Sequence, residues 1–103
     1  MLEELQKADF EPRLSQDFEA HVEGFGPVVI ELAGIEDRST DIMESFSLLF
    51  RGDKERVFRQ GTYKMTHPAM GEFILFLGPV ITQKGDEGDR VYYEAVFNRL
   101  KSR

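Results

Sequence analysis

The chain has 103 residues, 41% of them apolar, with nine Phe, no Trp and no Cys, and carries a formal charge of -6. It is long enough for one core and too apolar for disorder, and the missing thiols exclude disulfides, thiolate catalysis and thiolate metal sites. A net anion repels phosphate backbones, and neither basic group (Arg51, Lys54, Arg56, Arg59 or Arg99, Lys101, Arg103) is interleaved with aromatics, so no nucleic-acid partner is expected.

The first residues, MLEELQKADF, lack the basic-then-apolar order of a signal peptide. No apolar run approaches the ~20 residues of a membrane helix. The expectation is one soluble, cytoplasmic domain over residues 1–103, without membrane association and with residues 1–7 free to fray. A short helix is predicted over residues 9–16, with Asp9 able to cap it and Phe10 and Leu14, spaced i,i+4, laid onto the core.

From Asp17 the apolar period changes to two, the period of a half-buried strand. Phe18, Ala20 and Val22 form one face of a first strand, and the glycines and Pro27 of residues 24–27 make a turn. Val28, Ile30 and Leu32 form one face of the returning strand, which runs to Ile35. Residues 36–41 are polar and predict a loop. Residues 45–51 predict a third strand with Phe46, Leu48 and Phe50 inward and Leu49 outward.

The charged residues 52–60 read as an exposed connection. In a fourth strand over residues 61–67, Tyr63 and Met65 form the apolar face, followed by a hairpin with Pro68 early and Gly71 in the left-handed position. Residues 72–82 are apolar on both faces, with Phe73, Leu75 and Leu77 on one and Ile74 and Phe76 on the other, and Gly78-Pro79 reads as a bulge or bend. After a hairpin loop over residues 83–89, residues 90–100 set Val91, Tyr93, Ala95 and Phe97 against Tyr92, Glu94, Val96 and Asn98. Six close-spaced strands and one short N-terminal helix predict a mainly β fold, an antiparallel meander closed into a barrel or strongly curled. Closure removes exposed edges and is preferred for that reason.

No constellation points plainly to chemistry. His21 and His67 are too few for a zinc site without added carboxylates, and each falls where a structural role suffices, so neither metal nor cofactor is expected. Glu94, between aromatic neighbours, would suit general acid work if desolvated, although a cross-strand partner such as Lys64 or Arg90 is the simpler account. Arg51-Gly52-Asp53 spells an integrin-ligand tripeptide but reads as a strand end. The acidic residues 85–89 lack the ligand spacing of a calcium loop.

The blocks Ala8-Asp9-Phe10, Phe46-Ser47-Leu48-Leu49-Phe50-Arg51-Gly52, Gln60-Gly61-Thr62-Tyr63, His67-Pro68-Ala69-Met70-Gly71 and Tyr93-Glu94-Ala95-Val96-Phe97-Asn98 follow one another along nearly the whole chain. In that order they resemble a bacterial family known only as a domain of unknown function, the DUF6916 type. The resemblance implies a one-domain β fold and assigns no catalytic residue. It also implies an accessory or structural role beside phage-tail-like proteins.

Two functions follow. The first is a non-catalytic interaction or structural module that self-associates or serves a phage-tail-like assembly, with Leu49, Ile74, Phe76 and Tyr92 as its surface. The second is a small-ligand-binding barrel or small enzyme, with a pocket of Tyr63, Met65, Tyr93 and Phe97 and with His67 or Glu94 as its polar group, although six strands leave a narrow interior.

Overall fold

The computed structural model describes residues 5–80 and 90–100. A single helical turn, α1 (Lys7–Phe10), tightens into a 3-10 turn at Glu11–Arg13. Six strands follow: β1 (Asp17–Val22), β2 (Gly26–Asp37), β3 (Met43–Asp53), β4 (Gly61–His67), β5 (Gly71–Val80) and β6 (Arg90–Leu100). They close an antiparallel barrel in the order β1-β2-β3-β6-β5-β4. The mainly β class, the barrel and the short N-terminal helix are those expected.

The strand order departs from a meander, because β3 is flanked by β6 and β4 crosses to lie beside β1. The crossing is made by residues 54–60, which were expected to lie exposed. Phe58 of this segment is instead buried, its ring stacked on Tyr93 with centroids 4.2 Å apart and set edge-on to Tyr63 at 4.8 Å. The Phe58 amide donates to the Tyr93 hydroxyl at 3.3 Å, and the Tyr63 hydroxyl donates to the Arg59 carbonyl. A connection that closes one mouth of the barrel carries the chain from β3 across to β4, which lies between β1 and β5.

Phe10 fills the other mouth. It is fully buried, with ring centroids 5.9–6.4 Å from Phe18, Phe46, Phe73 and Phe97. Lys7 pins the turn above it, reaching Asp37 at 2.9 Å and Glu11 at 3.3 Å. The predicted helix over residues 9–16 starts earlier and ends sooner. Asp9 caps from inside the first turn, accepting from the Gln6 amide at 2.8 Å. Leu14 is exposed, because the 3-10 geometry, with Pro12 inside it, breaks the i,i+4 spacing that would have set Leu14 under Phe10. Leu5 and Lys7, expected to fray, are held: Leu5 packs on the core and Lys7 is ion-paired.

The inward alternation is otherwise as the sequence sets it. Phe18, Ala20, Val22, Val28, Ile30, Leu32, Phe46, Leu48, Phe50, Met65, Phe73, Leu75, Leu77, Tyr93 and Ala95 share one buried cluster. A bulge between Leu32 and Gly34 changes the parity of β2, so that Ile35 also packs inward, opposite Leu48. Gly78-Pro79 makes no break, since β5 runs on to Val80. Strands β2 and β3 extend into the expected loop, leaving residues 38–42 as the connection. The hairpin loop predicted over residues 83–89 lies outside the described residues.

Candidate interaction surface

The seams of the barrel are unequal. β3 pairs β6 without interruption from Met43↔Leu100 to Asp53↔Arg90. β5, among the described residues, pairs β6 only at Gly78↔Glu94, Pro79↔Tyr93 and Val80↔Tyr92, and the proline brings no amide to that ladder. Among the described residues, Gly71–Leu77 of β5 and residues 95–100 of β6 therefore have no strand partner along their facing edges. Further along the unpaired stretch, the Phe10 ring lies 5.9 Å from Phe73 of β5 and 5.9 Å from Phe97 of β6.

A cleft of about 240 Å³ opens over this seam, lined by Leu5, Glu44, Phe46, Ile74, Phe97 and Asn98, with Arg99 at its rim. Arg99 is ion-paired to Glu44 at 3.0 Å. Outer-face side chains beside it are apolar and exposed: Ile74 51%, Phe76 56% and Val96 53%. They project outward because the inward positions of the same strands belong to Phe73, Leu75, Leu77 and Ala95.

Of the surface expected from sequence, Ile74 and Phe76 stand on this face and Leu49 is half-buried on β3, opposite Glu94. Tyr92 is a correction: it is 2% exposed and offers nothing to a partner. It points outward, but its cross-strand neighbours Arg51 and Val80 flank it, and Arg51 is held beside it by Glu31 at 3.1 Å. Val96 was not singled out, although its place on β6 two residues beyond Glu94 put it on the outer face.

The six residues of the expected pocket do not line a common cavity. Met65 and Tyr93 are wholly buried in the packed interior, and Tyr63 stands with Phe58 at one mouth. Phe97 stacks on Phe46 near the other mouth, with centroids 4.5 Å apart. Glu94 lies on the outer face, where, among the described residues, it pairs with Arg38 at 4.0 Å rather than with Lys64 or Arg90. Burial, opposed only in part by the bond from the Phe58 amide, raises the Tyr93 hydroxyl above the ordinary tyrosine value.

His67 is buried with its ring 4.6 Å from that of Phe18. Its Nδ1 accepts from the Ala69 amide at 3.0 Å, so the proton sits on Nε2, which donates to Gln16 Oε1 at 2.7 Å. Burial first, and the charge of Arg13 second, lower its pKa below the ordinary histidine value. Nδ1 is thus engaged within the β4–β5 hairpin, and Nε2 ties that hairpin to the linker before β1. His21 makes a lesser local contact, 3.2 Å from the Thr66 hydroxyl, which donates to Glu19 at 3.3 Å. Among the described residues no three His, Asp or Glu side chains gather as a metal site would require.

The tripeptide at residues 51–53 is a strand end: Arg51 is ion-paired to Glu31, and Gly52 is buried. A Cβ at Gly52 would lie 2.9 Å from Ile30 Cγ2, so the glycine is required by close packing. No described helix is long and apolar enough to cross a membrane.

Residues 5–97 match the family described as Domain of unknown function (DUF6916), and the chain belongs to that family. No curated protein and no solved structure matches it.

Proposed function

We propose that this DUF6916 domain is a non-catalytic interaction module, docking to a protein partner through the outer face of β5 and β6 as an accessory part of a larger assembly. The observation that carries the reading is the exposure of Ile74, Phe76 and Val96 on two neighbouring strands of so small a domain. Single exposed apolar side chains need no explanation, but three beside one seam offer a contiguous surface for burial against a partner. The phage-tail-like setting implied by the resemblance fits such a role. The interior favours this reading over a ligand-binding barrel, because phenylalanines from α1 and from residues 54–60 fill both mouths.

Site-specific photocrosslinking in the producing cell tests it. A photoreactive phenylalanine analogue at position 96 should give a discrete crosslinked species, lost in the double variant Ile74→Asp, Phe76→Asp. The same analogue at Glu55, exposed on the distant connection, should give none. A crosslink from position 96 no stronger than that from position 55, or one that survives the double variant, would contradict the proposal.

A further inference from the structure

The free edge of β5 is unusual for a sheet edge left in solvent. Natural edges are blunted by proline, by lysine, by a bulge or by short length. Gly71–Leu77 has none of these: its register against β4 is unbroken from Gly61↔Leu77 to His67↔Gly71, and its only charge is Glu72. Its outward side chains alternate between the exposed Ile74 and Phe76, while Phe73, Leu75 and Leu77 anchor the strand in the core. A row of backbone donors and acceptors without a strand partner among the described residues thus lies beside an apolar face. Only another extended main chain can satisfy such a row along its length, whereas side chains satisfy single groups.

We infer that the β5 edge accepts an extended strand from a basic partner polypeptide, which adds to Gly71–Leu77 by main-chain hydrogen bonds. The inference rests on the reading of the β5–β6 face as an interaction surface. One face of the added strand would set its side chains into the cleft of about 240 Å³ beside Ile74, Phe97 and Asn98. The other would lie alongside Phe76. Charge selects the partner: at -6, two copies of this chain repel one another, while a segment with lysine or arginine at its ends is drawn in.

The test uses the full chain and a fluorescent nine-residue amidated peptide in which valine alternates with threonine and lysine stands at each end, titrated by anisotropy. A second peptide carries N-methyl groups on every second amide, and a third has glutamate in place of lysine. The expected result is saturable binding of the first peptide, weakened about tenfold or more by methylation, since several main-chain bonds are lost together. The glutamate peptide should bind more weakly than the lysine one at low salt. Equal binding of the methylated peptide would overturn strand addition while leaving side-chain docking on the same face intact. Equal binding of the glutamate peptide would overturn the basic partner, and no binding of the first peptide at millimolar concentration would overturn the inference outright. A dimer in light scattering that dissolves in Phe76→Asp would make a second copy the occupant and overturn it too. Failure of the broader reading has a separate signature, the loss of any specific crosslink from position 96.

Discussion

Strand β6 is bonded unequally on its two sides. Towards β3 the ladder is continuous from Met43↔Leu100 to Asp53↔Arg90, whereas towards β5, among the described residues, it is confined to Gly78–Val80. Both sides use the same inward residues, so hydrophobic alternation does not distinguish them. The difference lies in what each side can pair with. β3 brings an unbroken run of amides, while β5 brings a proline to the ladder, and the Phe10 ring of α1 packs between Phe73 and Phe97 in the unpaired stretch. The full side makes the barrel, and the short side leaves β5 an edge within a closed sheet.

The largest effect should come from removing that ring. Phe10→Ala leaves a cavity among four phenylalanines and should cost about 3–5 kcal/mol in urea unfolding. It acts on the short side, where no ladder compensates. On the full side, Gly52→Ala forces a methyl group against Ile30 and should cost about 1–3 kcal/mol. If Phe10→Ala proved milder than Gly52→Ala, the short seam would be held by something other than the phenylalanine.

Most of this architecture was legible in the sequence, because strict alternation of side chains across a pleat leaves few alternatives. From Phe18 to Phe97 the inward sets are those that alternation names. What alternation does not encode was missed. Strand order depends on Phe58, a lone aromatic in a charged run, and that isolation was the available signal. The outward tyrosine Tyr92 was expected to be exposed, but its burial depends on the neighbours brought by register, Arg51 and Val80, which are far away in sequence. Leu14 was lost to a local change of helical geometry. The surface was half readable: Ile74 and Phe76 stood out as apolar residues on the wet parity, but the broken ladder beside them is a property of pairing.

A smaller effect is expected at the hairpin that begins the free edge. Neutral His67 is favoured by the fold, so its folded pKa lies below the unfolded value of about 6.5. The stabilisation is fully present above that value, and unfolding free energy should fall as pH drops from it towards the lower folded pKa. Protonation gives the ring a second N–H, on Nδ1, and breaks the bond from the Ala69 amide. Chemical denaturation between pH 7 and pH 5 should show this decline, reduced in His67→Gln. A pH profile shared by the variant would assign the decline to other groups.

The smallest effect on folding is expected on the open face. Phe76→Thr places a β-branched, strand-favouring residue at an exposed strand position and should change stability by no more than about 0.5 kcal/mol. The same variant should lose the crosslink from position 96. A large destabilisation would mean that Phe76 is part of the packed structure rather than free for a partner.

Amide hydrogen exchange across β5 tests the open edge most directly, because successive amides of a strand point to opposite sides. Across residues 72–77 the account predicts alternation. One set of amides, bonded to β4, should be protected like those of β3, and the set facing β6 should exchange far faster. Uniform protection of both sets, at the level of β3, would show that the edge is already filled and would contradict the account.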